Sequence, residues 1–248
     1  MPGSLFMGFL TTNTGSFPRS ANSPLFPSRH YMSERTIFPE LMDSFTGPEK
    51  RHILRDLERI NRWFGSRCSI KLALGHLVTE AEPFSVLDIG AASGDSGRYI
   101  RSLYPQATVV SLDYKSEHLY SNTDTKIVAD AFQLPFKAKS FDIVFSSLFL
   151  HHFDEASIVV LLEQFSEIAM RGIVAVDLLR HRFAYHFLPL TSPLFRWHRI
   201  SVHDGIRSVQ AAFKKPELLH LAQRAGLKDP AVNTVLPFFR LALSAHCR

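Results

Sequence analysis

The sequence predicts an α/β domain built on a doubly wound, mostly parallel sheet, and three observations carry that expectation. Short apolar runs alternate with helix-patterned segments from about residue 84 to 178. A glycine-rich turn, "DIGAASG" at 88–94, joins the first of those runs to a helix. Uncharged runs such as "IVFSSLFL" at 143–150 have the length of buried strands, whereas a bilayer crossing needs about 20 apolar residues. Strands covered on both faces read as continuous apolar runs, and alternation with helices argues for parallel pairing. The 248 residues are 46% hydrophobic, enough to bury a sizeable core, and the net charge of +5 is only mildly basic. Two cysteines, Cys68 and Cys247, make neither a disulfide framework nor a zinc spacing, which points to a reducing, cytoplasmic setting.

The elements follow in order. Residues 1–31 are rich in Ser, Pro, Asn, Gly and Thr and read as a disordered extension; Met32 offers an alternative start. The extension lacks the charged start and continuous apolar block of a signal peptide. Residues 32–83 read as a helical cap. In it Ile53, Leu57, Ile60 and Phe64 recur at helical spacing, Gly65 can stop that helix, and a second helix is expected at about 67–80. Arg51, Arg55, Arg59 and Arg62 form a second stripe, read as a solvated, ion-paired face or as a source of Arg59 or Arg62 for a ligand carboxylate.

Residues 84–248 form the main domain. Strands are expected at 84–90, 107–113, 125–130, 140–147 and 172–178. Helices are expected after the glycine turn, over "SEHLYSN", and from Asp154, a natural N-cap. Near the end, "KKPELLHLAQRAG" has a proline in its first turn and a glycine at its close. Between about 178 and 213 the strand–helix rhythm breaks, and an insertion is expected there.

In an open parallel sheet the ligand lies at the carboxyl ends of the strands. A dinucleotide-type G-x-G-x-x-G fails here, because its second and third glycine positions are Ala92 and Asp95. Asp95 and Asp88 would repel a pyrophosphate at a helix start. A cationic ligand suits the same acids. The pattern Asp88-x-Gly90-x-x-x-Gly94 resembles the first motif of class I S-adenosylmethionine-dependent methyltransferases. Asp113, ending "VVSLD", Asp130 in "IVADAFQLPF" and the segment 134–153 resemble the family's later motifs in the same order. The C-terminal third and "LERINRW" are further similar to a bacterial subgroup associated with phenolic-lipid or polyketide tailoring, although the usual "DLxRS" form departs at His181.

The resemblance implies a Rossmann-like domain that binds S-adenosylmethionine through Asp88, Gly90, Ala91, Gly94, Asp113, Tyr114, Asp130, Ala131, Phe132 and Ser146. Asp113 would take both ribose hydroxyls, and Asp130 with Ala131 and Phe132 would flank the adenine. Asp142 reads as structural. Methyl transfer from a sulfonium needs alignment and an available nucleophile, and a phenol benefits from a general base such as histidine. Of the twelve histidines, His151 and His152 follow the fourth strand, and His203, with Asp204 to orient it, lies in an expected His-Asp-Gly turn. His152, His203 and Asp204 are the catalytic candidates, each with a packing or turn role as its alternative. No metal is expected, since the position of a metal-ligating acid in catechol-type relatives reads Ser146-Ser147.

Phe183, Tyr185, Phe187, Leu188, Leu194, Phe195 and Trp197 crowd the insertion. They suggest a lid over an apolar pocket, a peripheral membrane contact, or a packing layer. The expected activity is O-methylation of a small hydrophobic aromatic, phenolic or quinone-like acceptor. A catalytically inactive binding subunit, an oxidoreductase and an RNA methyltransferase are the alternatives, and no nucleic-acid module is evident.

Overall fold

Strand β1 (Phe84–Ile89) is buried along nearly its whole length, as a central parallel strand must be. The structure, a computed structural model, describes residues 32–247 apart from 40, 46, 80, 120 and 121. The extension expected to be disordered, 1–31, lies outside the described residues.

Beside β1 stand β2 (Ala107–Asp113), β3 (Thr125–Val128), β4 (Phe141–Ser147) and β5 (Ala169–Leu178), then β6 (Lys228–Val235) and β7 (Arg240–His246). The seven-stranded sheet runs β3-β2-β1-β4-β5-β7-β6. Strands β1 to β5 pair in parallel, while β7 lies antiparallel to β5, with Leu178 opposite Arg240, and β6 antiparallel to β7. This is the doubly wound α/β fold of class I methyltransferases. Strands β6 and β7 are additional to those the sequence predicts.

Helices α1 (Gly47–Trp63), α2 (Ser66–Leu74), α3 (Asp95–Leu103) and α4 (Glu155–Ile168) fall close to their expected places. Asp154 caps α4, accepting from the Ser157 N–H at 2.8 Å. α2 is shorter than the expected 67–80 because Gly75, a poor helix former, stands at its C-cap. Residues 116–119 make a turn rather than the expected helix; the rest of "SEHLYSN" includes 120 and 121, outside the described residues. The insertion holds α5 (Arg182–Phe195) and α6 (Arg199–Ala211), and α7 (Lys215–Arg224) follows.

Two cores form on opposite sheet faces. Ile173 and Ala175 of β5 join the one under α4 and α7, and Val174 and Val176 join the one under α2. Helix α2 therefore belongs to the sandwich. α1 instead packs on the insertion, through Ile53 with Ile200 and Ile60 with Leu188 and Trp197.

Candidate active site

The carboxyl end of β1 turns through Gly90 (φ 71°), whose N–H donates to Leu112 O at 2.9 Å, and then through the buried Ala91. A Cβ on Gly90 would lie 2.6 Å from the Phe149 ring. Gly94 (φ 73°) begins α3, and a Cβ there would meet the Asn122 side chain at 2.5 Å. Both positions combine a left-handed backbone with a close approach, so a side chain is excluded twice over.

Acids surround this turn. Asp88 is only 1% exposed and its Oδ2 has no hydrogen-bond partner. Burial, followed by the Asp95 and Asp113 charges, pushes its carboxyl well above the ordinary carboxylate range. Asp95 is raised as well, by burial and then by Glu58, against the pull of Arg98. A pocket that crowds carboxyls together and leaves one buried oxygen without a donor is complementary to a cation.

Asp113, at the end of β2, behaves differently. Burial works against its charge, yet the His118 ring, the Lys115 N–H and the Ala92 N–H hold it below its ordinary value. Its Oδ1 takes Lys115 N at 3.0 Å and His118 Nδ1 at 3.1 Å, and its Oδ2 takes Ala92 N at 3.1 Å. The carboxylate thus stays ionised and ties β2 to the glycine turn.

Asp130 lies just beyond β3 and accepts the Phe132 N–H at 2.9 Å. Ala131 is buried, and Phe132 sets its ring edge-on to Phe153, centroids 5.4 Å apart. Tyr114, largely exposed, lines a cleft of about 410 Å³ with Phe45, Lys50 and Val128, beside the ends of β2 and β3. Ser146 is buried on β4, opposite Ile89. The expected cofactor residues therefore stand in a row across the carboxyl ends of β3, β2, β1 and β4. Asp142 accepts from Ser85 and from Arg171 away from that row, a structural part as expected.

The histidines sort themselves by their partners. A 3-10 turn, Leu150–His152, follows β4. His151 is 3% exposed, with Nδ1 2.7 Å from Oδ1 of the buried Asp177 at the end of β5. Burial pushes Asp177 up, but His151 outweighs it and holds the carboxyl below its usual value. His152 is half-buried, its ring centroid 4.1 Å from that of His151. Sequence reasoning did not single out Asp177; its signal was an acid closing an otherwise apolar strand.

His203 and Asp204 are paired at 2.9 Å, but within helix α6, which replaces the expected His-Asp-Gly turn. The buried Asp204 also accepts from Leu41 N at 3.1 Å and Met42 N at 2.8 Å, capping the 3-10 turn Leu41–Ser44. Arg207 Nε donates to His203 Nε2 at 3.1 Å. Both ring nitrogens of His203 are therefore taken by protein groups. Helix α6 packs against the Leu150–His152 turn, which brings the insertion over the carboxyl end of β4.

A family model described as a methyltransferase domain matches residues 87–168, the stretch that runs from the glycine turn to the end of α4. This segment is therefore similar to a methyltransferase domain. A demethylmenaquinone methyltransferase of Thermotoga maritima is 31% identical over 112 residues, covering 40% of this chain and 49% of that protein. The chain spans half or less of the length of the curated relatives it matches. Among solved structures, the plantazolicin methyltransferase BpumL in complex with a pentazolic desmethylPZN analog and SAH superposes with a TM-score of 0.63 at 19% identity, covering 84% of this chain and 95% of that one. Human N-acetylserotonin methyltransferase in complex with SAM gives 0.57 at 16% identity, covering 80% of this chain and 56% of that one. At such identities the superpositions establish the fold. No helix of the described residues is long and apolar enough to cross a membrane.

Proposed function

We propose that the chain is an S-adenosylmethionine-dependent methyltransferase acting on an oxygen of a small, hydrophobic aromatic acceptor of phenolic or quinol type. One observation carries the cofactor reading: the buried Asp88 carboxylate, with an oxygen lacking any donor, beside a glycine turn otherwise surrounded by acids. S-adenosylmethionine supplies an ammonium for such an oxygen and a methyl group on a sulfonium.

The chain's own residues do the rest. Asp88 holds the ammonium, the ionised Asp113 accepts from the ribose hydroxyls, and Asp130 with Ala131 and Phe132 flanks the adenine, with Tyr114 at the cleft. Gly90, Ala91 and Gly94 let backbone come close, and Ser146 lies on the floor. Asp177 fixes the His151 ring through Nδ1, and His151 takes the acceptor's hydroxyl proton at Nε2; Asp177 then stabilises the imidazolium. The remaining contribution is alignment for in-line displacement. The relative named demethylmenaquinone methyltransferase supports a quinone-like acceptor. With a histidine base in place the reaction needs no metal, and EDTA should leave its rate unchanged.

The test is transfer of label from methyl-labelled S-adenosylmethionine to a panel of phenols, catechols and hydroquinones. Transfer to at least one is expected. Binding without transfer to any would favour an inactive binding subunit, and transfer to RNA alone would favour an RNA methyltransferase.

A second reading concerns where the acceptor is collected. Phe183, Leu190 and Leu194 project from α5 into solvent, and no Asp or Glu occurs between Asp177 and Asp204 while the exposed Arg182, Arg196 and Arg199 do. Exposed apolar side chains in an acid-free, basic segment suit an anionic lipid surface.

A further inference from the structure

One strongly charged group at the methyl-transfer face has no role in the reading above. Arg240 opens β7, opposite Leu178 at the carboxyl end of β5, and is 3% exposed. Its Nε donates to Phe64 O at 3.1 Å, while its Nη1 is buried with no hydrogen-bond partner. No carboxylate among the described residues is bonded to it. Buried guanidinium groups are nearly always met by acceptors, because a charged donor left unpaired loses its hydration with nothing in return.

The neighbourhood of that orphan is suited to an anion. Phe64, the residue Arg240 holds, is followed by Gly65 and by Ser66, the first residue of the nine-residue helix α2. The Ser66 hydroxyl is also buried without a partner. A helix N-terminus and a spare hydroxyl thus lie within two residues of the carbonyl that anchors the spare guanidinium. Burial brings Arg240 down to about 10, with Asp177 and Asp95 pulling the other way, so it is charged at neutral pH.

We propose that Arg240 and Ser66 form a subsite for a carboxylate carried by the acceptor, a hydroxylated aromatic acid. The source follows from strand order. The amino-acid end of the methyl donor belongs at Asp88 on β1, and β7 stands three strands away, about 14 Å at the usual strand spacing. Arg240 instead shares the end of β5 with Asp177, the partner of the proposed base. The aromatic part of the acceptor has its own surroundings, since the Phe64 ring packs edge-on to Phe187 at 4.6 Å and to Phe195 at 6.0 Å. The carboxylate would anchor at Arg240 while the hydroxyl faces His151. This inference rests on the methyltransferase reading and names the acceptor class for it.

The experiment is calorimetry on the full chain with 3-hydroxybenzoate and its methyl ester, for wild type, Arg240→Met and Ser66→Ala. Wild type should bind the acid at least about 10-fold tighter than the ester, the size of a charge-assisted hydrogen bond. Arg240→Met should erase that preference with ester binding unchanged, and Ser66→Ala should reduce it. Equal binding of acid and ester by wild type, or a preference that survives Arg240→Met, would overturn the subsite. So would an Arg240→Met that loses S-adenosylmethionine affinity but not affinity for decarboxylated S-adenosylmethionine, since the carboxylate would then be the donor's. If Arg240→Met does not fold, Ser66→Ala decides alone, and an unreduced preference there counts against the proposal. S-adenosylhomocysteine, titrated in parallel, reads the underlying assignment: no binding sinks the methyltransferase reading, whereas binding without acid preference sinks only the subsite.

Discussion

His151 and Asp177 meet twice: the ring Nδ1 lies 2.7 Å from Asp177 Oδ1, and the His151 backbone N–H donates to Asp177 Oδ2 at 3.2 Å. The carboxylate therefore fixes both the ring and the turn that carries it. Asp177→Asn keeps the shape but cannot stabilise the imidazolium, and it should lower kcat for methyl transfer by about 10²–10⁴-fold while donor affinity stays unchanged. Stability gives an independent readout. The folded Asp177 titrates below its ordinary value, so its contribution is present above the unfolded value of about 4 and is lost as pH falls through the lower folded one. Melting curves across acidic pH should flatten in Asp177→Asn, and an unchanged acid-side slope together with full activity would remove the pair from the mechanism.

Asp88 carries the opposite sign. Its carboxyl is raised by burial and by the neighbouring acids, so the ligand-free fold loses stability as pH rises from about 4 through the raised value. Asp88→Asn removes that cost, and its ligand-free form should melt higher than wild type at neutral pH. The same change should weaken S-adenosylmethionine by roughly 10-fold or more, because a charge-assisted bond to the ammonium is lost. Since the ionised form takes the ammonium, wild-type binding should strengthen with pH and release a proton, visible by calorimetry in buffers of different ionisation enthalpy. A variant that binds the donor as tightly as wild type would contradict this placement.

The parts of the fold that sequence makes legible are those specified locally. Buried parallel strands such as 84–89 and 107–113 write themselves as apolar runs, and the turn at Gly90 and Gly94 declares its backbone needs through residue type. Strand β6 hides because it is half-exposed and contains Asp229 and Pro230, poor strand formers. The segment around His203 looks like a turn because of Gly205, yet it is helical; a Cβ on Gly205 would run into Leu188 of α5, so the glycine serves helix–helix contact. The His151–Asp177 pair joins residues 26 apart in sequence, and Arg240 meets Phe64 across 176. No local pattern reports such meetings; only the packed sheet does.

Asp204 gives a test that separates architecture from chemistry. Its carboxylate serves Leu41 N, Met42 N and His203 Nδ1 at once. Asp204→Ala should cost about 1–3 kcal/mol through the stranded N–H groups, which is roughly 2–12 °C in melting temperature for a chain of this size. His203→Ala should leave kcat within about 3-fold of wild type, as expected of a surface change without a transition-state contact. A loss of several orders of magnitude in His203→Ala, with the melt unaltered, would return His203 to the catalytic group.

The outward face of α5 closes the set. Leu190 and Leu194 are 77% and 78% exposed, one helical turn apart, and Phe183 lies nearby at 72%. Exposed side chains add little to folding, so Leu190→Glu combined with Leu194→Glu should leave the melting temperature within a degree or so. Sedimentation with vesicles containing phosphatidylserine should pull down the wild-type chain at low salt, because apolar insertion and basic attraction act together. The double variant should stay in the supernatant, as should wild type with purely zwitterionic vesicles. If wild type ignores the anionic vesicles, the exposed leucines have no lipid surface to meet, and the acceptor reaches the site from solution.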